Sequence, residues 1–169
     1  RRILLAFSVA LLMAPVTILW LPRFLIFSAL GWIDSYAALL APALMGSSPL
    51  FILLFYWAYR RIPSEQFEAA RMDGAGAIRI WWAVALPQVR PALLAVGVLA
   101  FLSYWNDFIQ PLLYLRSQRL YTLAIGLQQL QQLDRTNWPL MLAGGVMMTL
   151  PVMLVFWLSR RALLREVAD

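Results

Sequence analysis

The sequence predicts an all-α fold, a polytopic bundle of membrane-crossing helices, on three observations. The chain of 169 residues is 63% hydrophobic and only 13% charged, far more apolar than an ordinary soluble domain. Its apolar residues fall in several uncharged runs of roughly 20 residues, the length one helix needs to cross a bilayer. Arginines stand at the ends of those runs rather than inside them. Length therefore counts spans, and residues 1–169 read as a single transmembrane domain.

Missing residue types exclude whole classes of chemistry. There is no Cys and no His, hence no disulfide framework, thiol nucleophile, imidazole base or zinc motif. All 14 basic residues are Arg, so neither a P-loop lysine nor a Schiff base is available. No metal, cofactor or catalytic residue is expected, and any nucleotide used to drive this protein must bind another chain. A net charge of +6 would suggest nucleic acid in a soluble protein. Here the arginines flank apolar runs, which is a signature of membrane topology, and no nucleic-acid partner is expected.

The elements follow in order. Residues 3–22 are uncharged and long enough to span, preceded by Arg1 and Arg2. A signal peptide would have a shorter apolar core, of about 7 to 15 residues. Residues 22–35 carry Arg23, Trp32 and Asp34 and suit a connector at the interface. A second span, 36–59, holds Gly46-Ser47-Ser48-Pro49 at its centre. Pro49 removes a backbone donor there, and the Ser47 and Ser48 hydroxyls can recapture freed groups, either at a packing kink or in a broken helix lining a polar path. A third span, 92–115, is interrupted by Trp105-Asn106-Asp107, and the Gln-rich residues 116–137 suit an extramembrane connector with some amphipathic helix. The fourth span, 138–158, carries Gly144 and Gly145 for close helix approach and a kinking Pro151. Four spans put both ends on one side. Arg1, Arg2, Arg60, Arg61, Arg71, Arg79, Arg90, Arg160, Arg161 and Arg165 then share a face, against Arg23, Arg116, Arg119 and Arg135 on the other. The positive-inside rule places the termini and the 62–91 loop in the cytoplasm.

That loop is the most charged part of the chain. Ser64 is expected to cap a helix running to about Met72, with Glu65 in its first turn and Gly74 ending it in the left-handed conformation. A second short helix, about Ala75 to Val84, would place Ile78, Trp81, Trp82 and Ala85 on one face. Leu86-Pro87 and Pro91 redirect the chain into the third span. The product is a helical hump that either rests passively on headgroups or docks a partner. Ala69 and Ala70 permit close approach, while Glu68, Arg71 and Asp73 offer charge-assisted bonds that fix register.

The spacing Glu68-Ala69-Ala70, three residues, Gly74, nine residues, Val84, one residue, Leu86-Pro87 resembles the EAA motif of membrane subunits of bacterial ABC importers. Val84 stands where Ile is more usual. Asp73-Gly74-Ala75, Trp105-Asn106-Asp107-Phe108 with Pro111-Leu112, Thr122-Leu123 and the segment 138–151 extend the resemblance to carbohydrate importers of the maltose type. The resemblance implies the type I importer permease fold, here with four spans of an expected six. It implies that Glu68, Ala69, Ala70, Arg71, Asp73, Gly74, Ile78, Leu86 and Pro87 couple to a cytoplasmic ABC ATPase dimer. The other expected partners are a second homologous permease, an extracytoplasmic solute-binding protein and the lipid bilayer. The tail after Arg161 lacks the Gly-rich extension common in the second permease of such systems.

The substrate path is expected in the outer half of the membrane. Asn106 lies about 22 Å beyond Pro91 at the helical rise. An acidic residue at that depth is by default a functional candidate, although Asp107 could instead reach headgroups or cap a neighbouring helix. Together with Tyr104, Trp105 and Asn106 it suits a sugar, whose hydroxyls need donors and acceptors and whose C–H faces stack on rings. Another solute, such as glycerol phosphate, an amino acid or an oxyanion, and a non-transporting scaffold are the competing readings.

Overall fold

The structure, a computed structural model, describes residues 2–13, 15–44, 48–133 and 136–165, with side chains described between residues 8 and 160 of these ranges. All regular elements among the described residues are helical. The chain runs through α1 (Arg2–Met13), a 3-10 turn (Val16–Leu19), α2 (Trp20–Ala29), α3 (Ala37–Leu44) and α4 (Pro49–Arg60). The hump follows as α5 (Ser64–Met72), α6 (Ala77–Ile80), a π turn (Trp81–Ala85) and α7 (Leu86–Gln88). Then come α8 (Arg90–Trp105), α9 (Ile109–Tyr114), a 3-10 turn (Gln118–Leu120), α10 (Leu123–Leu133) and α11 (Trp138–Arg165).

By length and composition, two segments among the described residues can cross a membrane, Ala37–Arg60 and Trp138–Arg160. They match the spans expected at 36–59 and 138–158. A third is available if α8 is counted with the bent segment before it. The run expected to span at 3–22 is not one helix. α1 is described as far as Met13, and Pro15, at ψ 126°, is extended rather than helical; its missing N–H adds no bond to a helical ladder. The connector expected at 22–35 is largely helical, as α2. The centre of the second span needs a similar qualification. Gly46 and Ser47 lie outside the described residues, whereas Pro49 opens α4 at its first turn behind an extended Ser48, where a proline leaves no bond unmade.

The breaks after α2 and after α8 carry their own caps, as a backbone in an apolar setting requires. At the end of α2, Gly31 is left-handed at φ 68°. The Trp32 N–H reaches Phe27 O at 2.8 Å and the Gly31 N–H reaches Ser28 O at 3.1 Å. These are the two bonds of a Schellman cap, and the usual apolar contact accompanies them: the Phe27 and Trp32 rings lie 5.8 Å apart. Phe27 also meets Tyr114 edge-on at 5.2 Å, and Ala38 and Tyr114 complete this buried cluster. At the far end of α8, the Asn106 side-chain amide donates to Leu102 O at 2.9 Å. The Asp107 carboxylate then accepts the Gln110 N–H at 3.2 Å to start α9. The span expected over 92–115 is therefore two helices joined at a doubly capped corner.

Two long-range contacts fix the outer layer. Gly144 lets α10 lie against α11, since a Cβ there would sit 1.9 Å from Leu127 Cδ2. The segment 116–137 is thus partly folded back on the bundle. Asp34, itself left-handed at φ 60°, accepts hydrogen bonds from the N–H groups of Arg116 at 2.9 Å and Ser117 at 2.8 Å, and from the Ser117 hydroxyl. These bonds, with the Arg119 charge as a smaller contribution, hold its carboxyl down to about 2. An unfolded Asp titrates near 3.9, so this stabilisation is complete above that value and is lost as pH falls from about 4 to about 2. In acid titrations of thermal unfolding in detergent, the gap between wild type and Asp34→Asn should be constant above about pH 4 and close below it. A gap unchanged down to pH 2 would show that the carboxylate does not hold the two connectors together.

Candidate coupling loop and cavity

The hump is built around its glycine turn. Gly74 sits at φ 76°, with the Ala75 N–H bonded to Ala70 O at 3.0 Å and the Gly74 N–H to Arg71 O at 3.0 Å. This second Schellman cap ties the Glu-Ala-Ala helix to the turn through the motif's second alanine, Ala70. The start of α5 differs from expectation. Pro63 occupies the capping position and Ser64 is the first helical residue, without a side-chain cap, because Pro63 already supplies the fixed extended entry. Glu65 does lie in the first turn.

The second helix also differs. Instead of one helix over 75–84, α6 passes into the π turn, where the Leu86 N–H reaches back five residues to Trp81 O. Pro87 has no N–H to give Ala83 O, and the widened turn absorbs that loss. The widening alters which residues share a face. Ile80 and Ala85, five apart, are buried. Ile78, expected on the same face as Ala85, is 83% exposed, while Trp82 is 65% exposed and Met72 86% exposed. Glu68, Ala69, Arg71, Asp73, Gly74 and Pro87 are exposed, and Ala70 and Leu86 are half-buried. The hump thus carries the motif on its accessible side. Beside it, Gly76, Ala77, Ile78, Arg79, Trp82 and Ala83 line a shallow depression. A side-chain bond from Gln88 to Gln66 closes the base of the hump, with Gln88 also donating to Val84 O at 3.0 Å. At Val89, which is buried, the chain turns by 71° into α8.

A cavity of about 420 Å³, walled mostly by apolar side chains with a small set of polar ones among them, lies at the far end of α8. Ser48, Tyr104 and Asp107 line it, brought together from α4's entry and the α8–α9 corner. Trp105 and Asn106 do not line it. The Trp105 indole N–H donates to Met148 O at 3.0 Å, and its ring stacks on Phe101 at 5.6 Å, so Trp105 ties α8 to α11. Its acceptor is the neighbour of the Met147 carbonyl that Pro151 leaves without a helical donor. Asn106 is spent on capping α8, and Ser47 lies outside the described residues. The cavity also takes in Arg23, Ser103 and Gln110, which sequence reasoning did not single out. Arg23 could have been found as the one charge in the apolar segment Val16–Ala29, and Gln110 by its spacing of three from Asp107. No cluster of His, Cys, Asp and Glu able to hold a metal occurs among the described residues.

Comparison with known proteins agrees with the motif. The family of binding-protein-dependent transport system inner membrane components matches residues 1–166. The chain belongs to this family. Its fold is accordingly the type I permease fold, and the protein is a membrane protein. The arabinooligosaccharides transport system permease protein of Halalkalibacterium halodurans is 35% identical over 151 residues, covering 89% of this chain and 53% of that protein. The protein of the same description from Bacillus subtilis is 32% identical, over 92% of this chain and 55% of the relative. The sn-glycerol-3-phosphate transport system permease protein of Yersinia pestis is 30% identical, over 94% and 56%. The chain spans about half the length of the curated relatives it matches.

Gly74 is needed for its backbone angle rather than for space, since a Cβ there would meet nothing within 4 Å. Gly74→Ala should therefore cost roughly 1 kcal/mol of local stability and raise amide exchange at Gly74 and Ala75 about fivefold, while Gly74→Asn should do less. Unchanged exchange in the alanine variant would contradict the cap.

Proposed function

We propose that this chain is the membrane-spanning permease subunit of an ATP-driven importer, forming part of the path for a sugar or oligosaccharide. Its hump couples the path to a cytoplasmic ABC ATPase dimer. The observation that carries this reading is the hump itself: Glu68, Ala69, Arg71, Asp73 and Gly74 are exposed on a doubly capped turn joined without slack to α8, whose other end meets the cavity that holds Arg23, Tyr104 and Asp107. The family match supports it, as do the printed descriptions of the relatives.

The mechanism follows from these parts. The positive-inside distribution of the arginines supports a cytoplasmic hump, within reach of an ATPase. Closure of the ATPase dimer on nucleotide would displace the docked hump and tilt α8, opening the cavity outward to a solute-binding protein; hydrolysis would reset it. The work must come from contacts that differ between the two states, so the hump surface carries the coupling. A second, homologous permease would complete the path. Ile78 and Trp82, exposed beside the motif, would add apolar area to the docked face, with Leu86 and Pro87 behind them.

Glycerol phosphate is the second reading for the solute, favoured by Arg23 in the cavity and by the glycerol-phosphate relatives. Uptake measured with a panel of neutral oligosaccharides and sn-glycerol 3-phosphate separates the two. Coupling is tested in proteoliposomes holding the permease pair, ATPase and binding protein. Glu68→Lys or Gly74→Trp should reduce both uptake and binding-protein-stimulated ATP hydrolysis to background. Normal values of both in these variants would remove the coupling role from the hump.

A further inference from the structure

The cavity at the end of α8 contains two opposite charges that do not pair with each other. Arg23 and Asp107 both line it, yet no salt bridge joins them, and the Arg23 guanidinium has no hydrogen-bond acceptor among the described residues. Both charges share the cavity wall with the Tyr104 side chain. The two ends of the cavity are held differently. The Asp107 carboxylate is fixed by Gln110, whose N–H donates to Oδ1 at 3.2 Å and whose amide Nε2 donates to Oδ2 at 2.8 Å. A carboxylate offers about four acceptor sites, so Asp107 is oriented but not exhausted. Arg23 keeps all five of its N–H donors.

We propose that Arg23 and Asp107 form a charge-balanced filter that admits neutral polyhydroxylated solutes and discriminates against phosphorylated ones. A sugar hydroxyl both donates and accepts, so one solute can accept from Arg23 and donate to Asp107, with a ring face against Tyr104. A phosphate dianion only accepts. It satisfies Arg23 but then lies beside a carboxylate in a low-dielectric site, where like charges repel far more strongly than in water. Had Arg23 stood alone, the same cavity would select anions. Asp107 reverses that choice. This inference rests on the cavity being the solute path proposed above, and it names the solute class that path takes.

The chain contains no Cys, so Ser103→Cys places a single thiol on the cavity wall. In the assembled transporter with cysteine-free partners, its reaction rates with a cationic trimethylammonium and an anionic sulfonate methanethiosulfonate reagent are compared, each normalised to a free thiol. With both charges present, the ratio should stay within about threefold of the free thiol. Arg23→Gln should shift it at least fivefold toward the cationic reagent and Asp107→Asn at least fivefold toward the anionic one. Arg23→Lys, which keeps the charge, should leave it unchanged. If one neutralising variant fails to assemble, the other decides alone. A ratio insensitive to either charge, or a thiol that never reacts, overturns the filter. In parallel, Asp107→Asn should raise uptake of sn-glycerol 3-phosphate relative to arabinotriose at least tenfold. If the labelling ratios shift as expected while uptake of both solutes is indifferent to every variant, the charge balance stands, but the cavity is not the path and the filter falls with it.

Discussion

The corner between Leu86 and Pro91 sets the geometry of everything around it. Pro87 and Pro91 have no N–H, so no continuous helical ladder can run from the hump into α8. The backbone resolves this with a π turn ahead of Pro87, a buried Val89 outside helical geometry, at φ −96° and ψ 6°, and a fresh helix start at Arg90. The Val89 N–H still finds Ala85 O at 3.2 Å, and the Leu93 N–H finds Val89 O at 2.9 Å. The bend is therefore bonded on both sides. In the proposed coupling, a hump that could swivel freely would transmit nothing, whereas one held at 71° to α8 would carry that helix with it.

The same helix joins two environments of opposite character. At one end, charged and small side chains are exposed on the hump. At the other, about 24 Å away for 16 residues, the chain stops helical geometry at Asn106 and Asp107 and opens a cavity. A break at that depth has to satisfy its own backbone. Asn106 does so for the end of α8 and Asp107 for the start of α9, which leaves the carboxylate pinned where it also faces the cavity. Capping and charge placement are thus one arrangement. Asp34 and the Phe27–Trp32–Tyr114 cluster tie the connectors before α3 and after α9 together.

Much of this was legible in the residues. Uncharged runs at 36–59 and 138–158 gave the two long segments, and Asp73-Gly74 gave the turn with its left-handed glycine, because these depend on local composition and on backbone angles that few residues tolerate. The failures came from prolines and from register. Pro15 split a run whose hydropathy was continuous, and Pro63 displaced Ser64 from the capping position. The π turn rotated Ile78 away from Ala85, since a helical wheel assumes 3.6 residues per turn and one extra residue shifts every side chain beyond it. The cavity was half visible: Asp107 and Tyr104 are adjacent to a polar interruption, whereas Arg23 is 84 positions from Asp107 in the chain and meets it only through tertiary packing. Trp105 is absent from the cavity lining for the converse reason. Its neighbours in sequence are polar, but its partner is a backbone carbonyl on α11.

The central claim is that the hump sits on a nucleotide-hydrolysing partner at the cytoplasmic face, and a single cysteine at Met72, exposed at its tip, tests this most directly. In vesicles containing the assembled system, a short bifunctional reagent at Met72→Cys should capture the ATPase subunit, and the yield should change between the nucleotide-free and ATP-bound states. Labelling of that cysteine only from the extracytoplasmic side, or adducts that never include an ATPase subunit, would contradict the account.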